Sequence, residues 1–279
     1  MEGAASQVWG ARLGWYAAWL IAAPFAVFGT WYALQVGLGY DSHAYWSAVQ
    51  DMDHLYDTPA LSRDAYLYSP LFAQVIRPLG LLPWPLFGIL WSSTSAALFV
   101  WLLRPLPMRW FVPSLVATVP EVLTGNIYAL MASALVLGAT RGTPWLFLGL
   151  TKVTPGLIGV VWLAVRRRWR PLAFGLGVGV LLVGVSVLAN PTAWQQWVDL
   201  LSTGSNPADA GRGLPWLTLS WLGAALVVTG FAAATGRAWL LPVATIIASP
   251  TFGPNTLTLL AAVPRLSRSE QDERASHSP

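Results

Sequence analysis

The sequence has 279 residues, of which 55% are hydrophobic and 10% are charged, with a net charge of +4. Soluble globular domains carry about 25% charged residues, so this composition excludes that class and predicts an integral membrane protein. Most basic residues stand beside apolar segments, where membrane topology explains them better than nucleic-acid binding, and the absence of cysteine excludes disulfides and thiolate chemistry.

Five long apolar intervals predict membrane-crossing helices. An α-helix needs about 20 residues to cross a hydrocarbon core of about 30 Å, and each interval is longer than that. Helices are expected because open strands would leave backbone groups unpaired in lipid. The first interval is too long for the apolar part of a signal peptide, so we expect it to remain as an anchor. The intervals without a charged residue are 13–40, 78–103, 171–198, 213–236 and 238–264.

A sixth apolar interval, residues 110–140, contains one charged residue and one strong break. The charge is Glu121, and the break is the pair Gly125-Asn126. Glycine next to asparagine favours a turn, so the interval predicts two short helices rather than one long helix. An ionisable group inside a membrane segment is a functional hypothesis by default, but a structural pairing role for Glu121 is an equally good interpretation.

A seventh interval, residues 142–165, contains Lys152, which is the only lysine in the chain and is soon followed by a proline. A straight helix here would put the arginine cluster 166–170 on the opposite side of the membrane from the other arginines, whereas positive charge collects on one side. We therefore predict a broken hairpin around 151–155. Lys152 could bind a phosphate group as a point charge, extend to the membrane interface, or pair with Glu121.

The charge distribution also predicts an orientation. The segment 41–69 has five aspartates and one arginine, whereas the other arginines flank apolar intervals. We expect the loops 38–69 and 190–214 outside, the first with a helix lying on the membrane surface, and a disordered polar tail, 265–279, in the cytoplasm. The predicted fold is all-α: a polytopic transmembrane helical bundle over residues 1–264, with about 8–10 membrane segments that include short or re-entrant helices.

Asp41 is the candidate catalytic group, because it follows the first apolar interval at the head of the predicted surface helix. A carboxylate there could act as a general base on a substrate hydroxyl. The alternative is that Asp41 and the other aspartates of the loop only solvate it. Aspartate and histidine are ordinary metal ligands, but those of this loop fit no compact motif, so we expect no metal site.

Seven short motifs stand in order along the chain between about residues 37 and 264. They are GYDSHAYW (39–46), LYD (55–57), YLYSPLF (66–72), RPLGLLPW (77–84), LTGNIYALMASALVLG (123–138), LGLTKVTPGLIGVVWLAVRRRWRP (148–171) and ASPTFGPNTLTLL (248–260). In this order they resemble glycosyltransferase family 87, polytopic enzymes of the GT-C superfamily that use polyprenyl-phosphate sugars.

The resemblance implies a GT-C fold with an external active site, in which Asp41 is the catalytic base. It implies that Lys152 lies near the donor phosphate, where Arg77 or Arg212 could add positive charge. The predicted substrate pocket comprises His43, Tyr45, Tyr66, Tyr68, Asn126 and Asn255.

The function expected from the resemblance is transfer of a hexose, with mannose as the first candidate, from a polyprenyl-phosphate sugar to a glycolipid or glycan. The donor is itself lipid-linked, so the expected partners are membrane lipid, donor and acceptor, with no cofactor. The resemblance also implies inversion at the anomeric carbon. The expected location is the plasma membrane of a bacterium, with the active site facing outside.

Two other classes stay open. The turn at Ser249-Pro250 lacks the Trp and His that follow it in the family, which fits a non-catalytic relative that works with a partner membrane protein. A transporter would instead use Glu121 and Lys152 as coupling residues. Replacement of Asp41 distinguishes the three classes, because only an enzyme should lose function there without losing its fold.

Overall fold

The computed structural model describes residues 2–59, 62–202, 215–249 and 253–276, and the side chains of 14–59, 62–202, 219–249 and 253–271. Within these ranges the chain forms fourteen α-helices, two 3₁₀ helices and no strand, which confirms the predicted all-α fold. The elements are α1 (Glu2–Val36), α2 (Tyr40–Gln50), α3 (Pro70–Gly80), α4 (Trp84–Leu103), α5 (Met108–Ala117), α6 (Val119–Thr124), α7 (Tyr128–Gly138), α8 (Pro144–Thr151), α9 (Val153–Val165), α10 (Trp169–Ala189), α11 (Pro191–Ser202), α12 (Pro215–Thr235), η1 (Ala238–Leu240), α13 (Leu241–Ala248), η2 (Pro254–Ala262) and α14 (Val263–Ser276).

Three stretches of the described chain are helical, long and apolar enough to cross a membrane: α1 continued by α2, α4, and α10. Shorter apolar helices occur at α7, at α9, in α12 and at η1–α13. Many short helices begin with proline, such as Pro144 in α8. Proline is favoured there because its fixed φ suits the first turn and its missing N–H is not needed. The chain is therefore an integral membrane protein built from long and short helices.

The interval 110–140 is broken at Gly125-Asn126 as predicted, but a second break makes it three helices rather than two. The crossing that starts in α5 is interrupted at Thr118 and continues as α6. Gly125 then adopts a φ of +70°, and α7 starts at Tyr128. Val136, near the end of α7, lines the same cavity as Arg104. Helix α7 therefore returns to the end of the bundle from which α5 starts.

Helices α8 and α9 form the antiparallel hairpin that was predicted around Lys152. The indole N–H of Trp145, near the start of α8, donates to the Gly138 carbonyl at 2.7 Å. The indole N–H of Trp162, near the end of α9, donates to the adjacent Ala139 carbonyl at 2.9 Å. The start of α8 and the end of α9 therefore lie at the same level of the bundle, and the hairpin closes at Lys152.

The arginines that flank the crossings collect at one end of the bundle, which we call the arginine end. Arg265 donates from Nε to the Trp101 carbonyl of α4 at 2.6 Å. Arg166, after α9, lies beside Gly236, after α12. The members of this end are Arg104, Arg141, Arg166, Arg237 and Arg265.

The opposite end, which we call the loop end, comprises α2, the segment 51–69 and α11. Asn190 donates to the Met52 carbonyl at 3.2 Å, and Trp197 donates to the Leu67 carbonyl at 3.4 Å. The two predicted loops therefore meet, although residues 203–214 of the second lie outside the described ranges. Helix α2 forms in the segment where the surface helix was predicted.

The C-terminal segment differs from its expected disorder, since α14 is helical to Ser276. Its Glu270 carboxylate accepts a hydrogen bond from the Trp239 amide at 3.1 Å, which joins α14 to η1 at the arginine end. The contact gives this polar helix an anchor that composition alone does not reveal.

Helices α7, α8 and α9 are much shorter than a full crossing. Helix α10 has 21 residues and α7 has 11, so at about 1.5 Å per residue they rise about 31 Å and about 16 Å. The turn between α6 and α7 and the turn between α8 and α9 therefore lie inside the bundle. Such turns are tolerated at membrane depth where protein buries them or where they line a cavity.

Candidate active site

The start of α2 is held against the turn between α6 and α7, and this contact fixes Asp41. Gly39 and Gly125 both adopt left-handed backbone conformations, with φ of +71° and +70°. The Gly39 amide donates to the Leu123 carbonyl at 2.7 Å. Ser42 lies so close to Gly125 that a Cβ on the glycine would overlap the serine side chain. Asp41, in the first turn of α2, is therefore held beside the residues that follow Leu123.

The Asp41 carboxylate has polar neighbours from two other segments. The side chains of Thr124 and Asn126 interact with it as hydrogen-bonding neighbours, and Lys152 lies close enough to act on it electrostatically. The Oδ1 of Asn126 accepts a hydrogen bond from the Ile127 amide at 2.7 Å, which leaves the NH₂ group as the donor. Asp41 itself is partly exposed. Its carboxylate is oriented by protein groups of two other segments.

Lys152 lies between α8 and α9 in an extended conformation, with φ −142° and ψ 106°. Its Nζ donates to the Tyr128 hydroxyl at 2.6 Å and lies 4.3 Å from the centre of the Tyr128 ring. The same hydroxyl is 3.0 Å from Oγ1 of Thr256. Lys152 therefore points into the bundle toward the start of α7, rather than toward the membrane interface.

Glu121 lies behind these residues and is fully buried. Its Oε1 accepts a hydrogen bond from the Tyr128 amide at 3.0 Å, whereas Oε2 has no hydrogen-bond partner among the residues that the structure describes. Asp41 and Lys152 both act on Glu121 electrostatically. Its contact with the amide fixes the start of α7, and with it the tyrosine that holds Lys152.

Two tyrosines border Asp41. The hydroxyls of Tyr45 and Tyr68 are 3.2 Å apart, and their rings meet edge to face at 5.3 Å. The Asp41 carboxylate acts electrostatically on both. Burial, followed by the charge of Asp41, raises the pKa of Tyr68 above its ordinary value, so this side chain stays a neutral hydroxyl. Both tyrosines can therefore offer hydroxyl groups beside the carboxylate.

Asn255 reaches the same place from η2. Its Nδ2 donates to Oγ1 of Thr124 at 3.3 Å, and Thr124 interacts with Asp41. Six residues selected from the sequence are thus brought together: Asp41, Tyr45, Tyr68, Asn126, Lys152 and Asn255. We call this group, with Glu121, Thr124, Tyr128 and Thr256, the loop-end cluster.

Three other predicted residues are not brought into the loop-end cluster. Nδ1 of His43 is 2.6 Å from Oδ1 of Asp64, on another face of α2. Tyr66 is buried, and its hydroxyl donates to the Ser69 carbonyl at 2.8 Å. Arg77 is exposed in the last turn of α3. The remaining predicted cation, Arg212, lies outside the described residues.

Three residues of the loop-end cluster were not predicted from the sequence: Thr124, Tyr128 and Thr256. Each is an ordinary polar or aromatic residue, and each stands within two residues of a selected one: Thr124 and Tyr128 lie on either side of Asn126, and Thr256 follows Asn255. Polar residues beside a helix break inside an apolar interval are the signal that could have found them.

Three aspartates further along the loop, Asp51, Asp53 and Asp57, are exposed. Oδ1 of Asp51 is 2.9 Å from Nδ1 of His54, and both side chains are exposed. This contact raises the pKa of His54 and lowers the pKa of Asp51. In the part of the chain with described side chains, no group of three or more His, Asp or Glu residues is arranged to hold a metal ion.

The loop-end cluster combines a carboxylate, an ammonium group, and neighbouring hydroxyl and amide donors. A carboxylate can accept a proton from a hydroxyl. A fixed ammonium can stabilise an anionic phosphate oxygen. The arrangement therefore suits a group transfer in which one partner loses a proton and the other leaves with negative charge.

Comparison with known proteins identifies the family. The sequence profile of glycosyltransferase family 87 matches residues 66–277 of the 279-residue chain. The match includes Asn126, Lys152 and Asn255 and begins after Asp41. No curated protein and no solved structure matches the chain. Because the matched range covers well over half of its length, this membrane protein belongs to glycosyltransferase family 87.

Proposed function

We propose that the protein transfers a hexose from a polyprenyl-phosphate sugar to a hydroxyl of a glycolipid or glycan, with Asp41 as the general base. One observation carries the proposal: segments distant in sequence place Asp41, Asn126 and Lys152 in one recessed cluster. The transfer requires a base for the acceptor and a cation for the leaving phosphate, and these residues supply both.

In the proposed step, the acceptor oxygen attacks the anomeric carbon while the bond from that carbon to the phosphate oxygen breaks. The electron pair of the broken bond leaves with the polyprenyl phosphate. The acceptor proton passes to the Asp41 carboxylate, which Asn126 and Thr124 orient. One bond forms and one breaks at the same carbon in a direct displacement, so the sugar is inverted.

Lys152 stabilises the negative charge that develops on the leaving phosphate. Its position on Tyr128, at 2.6 Å from the hydroxyl, is set before the donor binds, so little reorganisation is needed. Glu121 supports this position because it fixes the amide of Tyr128. Arg77 is exposed at the loop end and would act on a donor headgroup only if that group extends to α3.

The remaining features of the proposal come from the family resemblance and from charge. The resemblance favours a GT-C architecture, mannose as the sugar and a bacterial plasma membrane. The arginine end is assigned to the cytoplasm because positive charge concentrates there, and the loop end therefore faces outside. Tyr45, Tyr68 and Asn255 are the side chains best placed to contact the sugars.

The test is sugar transfer by membranes that contain the full chain. Wild type, Asp41→Asn and Asp53→Asn are compared at equal protein level, with labelled polyprenyl-phosphate mannose as donor and a native lipid extract as acceptor. Asp53 is an exposed aspartate of the same loop and serves as the matched control. We expect a labelled lipid with wild type and Asp53→Asn and none with Asp41→Asn.

Two results would contradict the proposal. Full transfer by Asp41→Asn would show that Asp41 is not the general base. The absence of product with folded wild type and with a second polyprenyl-phosphate hexose would favour the scaffold or the transporter instead.

A further inference from the structure

A polar cavity lies at the arginine end, at the opposite end of the bundle from Asp41. It has a volume of about 590 Å³ and brings together the turn after α4, the end of α7 and the start of α14. Half of its lining residues are arginines and none is acidic. The lining residues are Arg104, Pro105, Val136, Arg265, Arg268 and Ser269.

Arg265 is fixed in this cavity by α4. Its guanidinium carbon lies 4.0 Å from the centre of the Trp101 ring, and its Nε donates to the Trp101 carbonyl at 2.6 Å. Arginine has five N–H donors, and this bond uses one. Stacking therefore orients the guanidinium while leaving its terminal nitrogens for a ligand. An arginine that served only to orient a helix in the membrane would need no such fixation.

The positive charge of this cavity is not neutralised by an ion pair within the described side chains. Glu270, on the same helix, directs Oε1 to the Trp239 amide. Desolvation, and then the charges of Arg104 and Arg268, lowers the pKa of Arg265, as expected when the three guanidinium groups repel one another. An anion bound between them would relieve this repulsion.

An apolar cavity of about 550 Å³ adjoins the arginines along the chain. Leu103 and Leu106 line it on either side of the α4–α5 turn that supplies Arg104. Pro264 lines it directly before Arg265. A cationic cavity beside an apolar one matches a ligand with an anionic head and a hydrocarbon tail.

We propose that the arginine end binds the phosphate group of an anionic membrane phospholipid, with an acyl chain in the adjoining apolar cavity. Guanidinium groups bind phosphate oxygens through paired, charge-assisted hydrogen bonds. Basic pockets between transmembrane helices on the cytoplasmic side bind anionic headgroups in this way. The site is separate from the loop-end cluster and does not depend on the proposed transfer reaction.

The test is lipid-dependent thermal stability of the purified full-length protein in a neutral detergent. Phosphatidylglycerol is titrated against phosphatidylcholine for wild type, Arg265→Gln/Arg268→Gln, and the control Arg109→Gln/Arg170→Gln. Arg109 and Arg170 are exposed and do not line the cavity. Arg104→Gln is added because its exposed side chain can be replaced without disturbing the contact with Trp101.

We expect phosphatidylglycerol, but not phosphatidylcholine, to raise the unfolding temperature of wild type and of the control. Each arginine removed from the cavity should weaken the apparent affinity roughly fivefold, so Arg104→Gln should already show a shift. An unchanged response in both cavity variants would overturn the site. Inorganic phosphate or glycerol phosphate, tested at millimolar concentration, should not reproduce the effect. If either compound stabilised the protein as much as phosphatidylglycerol does, the ligand would be a free phosphate and the proposed lipid site would be wrong.

Discussion

The two ends of the bundle both contain charged side chains, but the charges are arranged differently. At the loop end, Asp41 and Lys152 have opposite signs and lie close enough to interact electrostatically, and each has its own hydrogen-bonding neighbours beside helix breaks. At the arginine end, Arg104 and Arg265 have the same sign and line an open cavity where helices finish. Opposite charges in one site can move a proton and stabilise a leaving anion, whereas like charges can only hold an anion. The candidate catalytic residues thus lie beside helix breaks. The arginines expected to orient the protein and bind lipid lie where helices end.

Replacement of Asp41 should give the largest change. Asp41→Asn keeps the size of the side chain and one acceptor oxygen but removes the base, so transfer should fall by about 10²–10⁴-fold. Unfolding temperature should change little, because the partly exposed side chain is not a core residue. Initial transfer rates and thermal unfolding, measured on the same preparations, check both statements. An equal loss of transfer with Asp53→Asn would show that the effect comes from the charge of the whole loop and not from a base at Asp41.

Replacement of Lys152 should give the next largest change and should separate it from Arg77. Lys152→Met keeps the length of the chain without the charge, and transfer should fall by about 10²–10³-fold because one fixed electrostatic group is lost. Arg77→Gln should have little effect, since Arg77 is exposed and outside the loop-end cluster. Dependence of the rate on donor concentration measures both variants. A larger effect of Arg77→Gln would move the phosphate site toward α3.

Gly125→Ala should break the contact between the α6–α7 turn and α2. The backbone at Gly125 has a φ of +70°, and a Cβ there would overlap Ser42, so the change should cost at least about 1–3 kcal/mol. Gly177→Ala is the control, because a Cβ at Gly177, inside α10, meets nothing within 4 Å. The control should stabilise by about 0.5–1 kcal/mol. Thermal unfolding in detergent measures both, and equal stability of the two variants would contradict the account of the turn.

Replacement of Glu121 tests whether this buried carboxylate only positions the neighbouring residues or carries a proton. Glu121→Gln keeps the acceptor for the Tyr128 amide and should retain most of the transfer. Glu121→Ala should destabilise by about 1–3 kcal/mol because the amide loses its partner. Transfer rate and unfolding temperature are measured together. Complete inactivity of a stable Glu121→Gln protein would favour a proton-carrying role, as in a transporter.

The smallest change should come from the exposed pair at the loop end. Asp51 raises the pKa of His54, so the pair is intact below the raised pKa of His54 and is lost as the pH rises through it. Asp51→Asn should lower the pKa of His54, as followed by NMR, and should leave transfer unchanged. A loss of transfer would show that the solvent-facing part of the loop takes part in the reaction.

The sequence predicted the parts of the candidate site that are unusual in an apolar chain. Lys152 is the only lysine, Asn126 follows a glycine break, and Asp41 ends an apolar interval. Such residues are conspicuous because membrane segments rarely tolerate them. The hairpin around Lys152 could be predicted for a related reason, since a straight helix would have separated the arginines.

Positions that depend on packing could not be predicted in the same way. His43 is two residues from Asp41, but on a helix two residues point about 200° apart, and His43 turns to Asp64. Tyr128 belongs to the candidate site because the turn at Gly125 directs the start of α7 toward Lys152, whose Nζ donates to the Tyr128 hydroxyl. The positions of His43 and Tyr128 depend on contacts between segments that are distant in sequence, and local sequence patterns do not predict such contacts.

Donor binding by Asp41→Asn and Lys152→Met is the measurement that most directly tests the division of roles in the loop-end cluster. Purified variants are titrated with polyprenyl-phosphate mannose, and binding is measured without an acceptor. We expect Asp41→Asn to bind the donor as wild type does and Lys152→Met to bind it more weakly. Equal donor affinity of Lys152→Met and wild type, or weakened binding by Asp41→Asn alone, would contradict this division of roles.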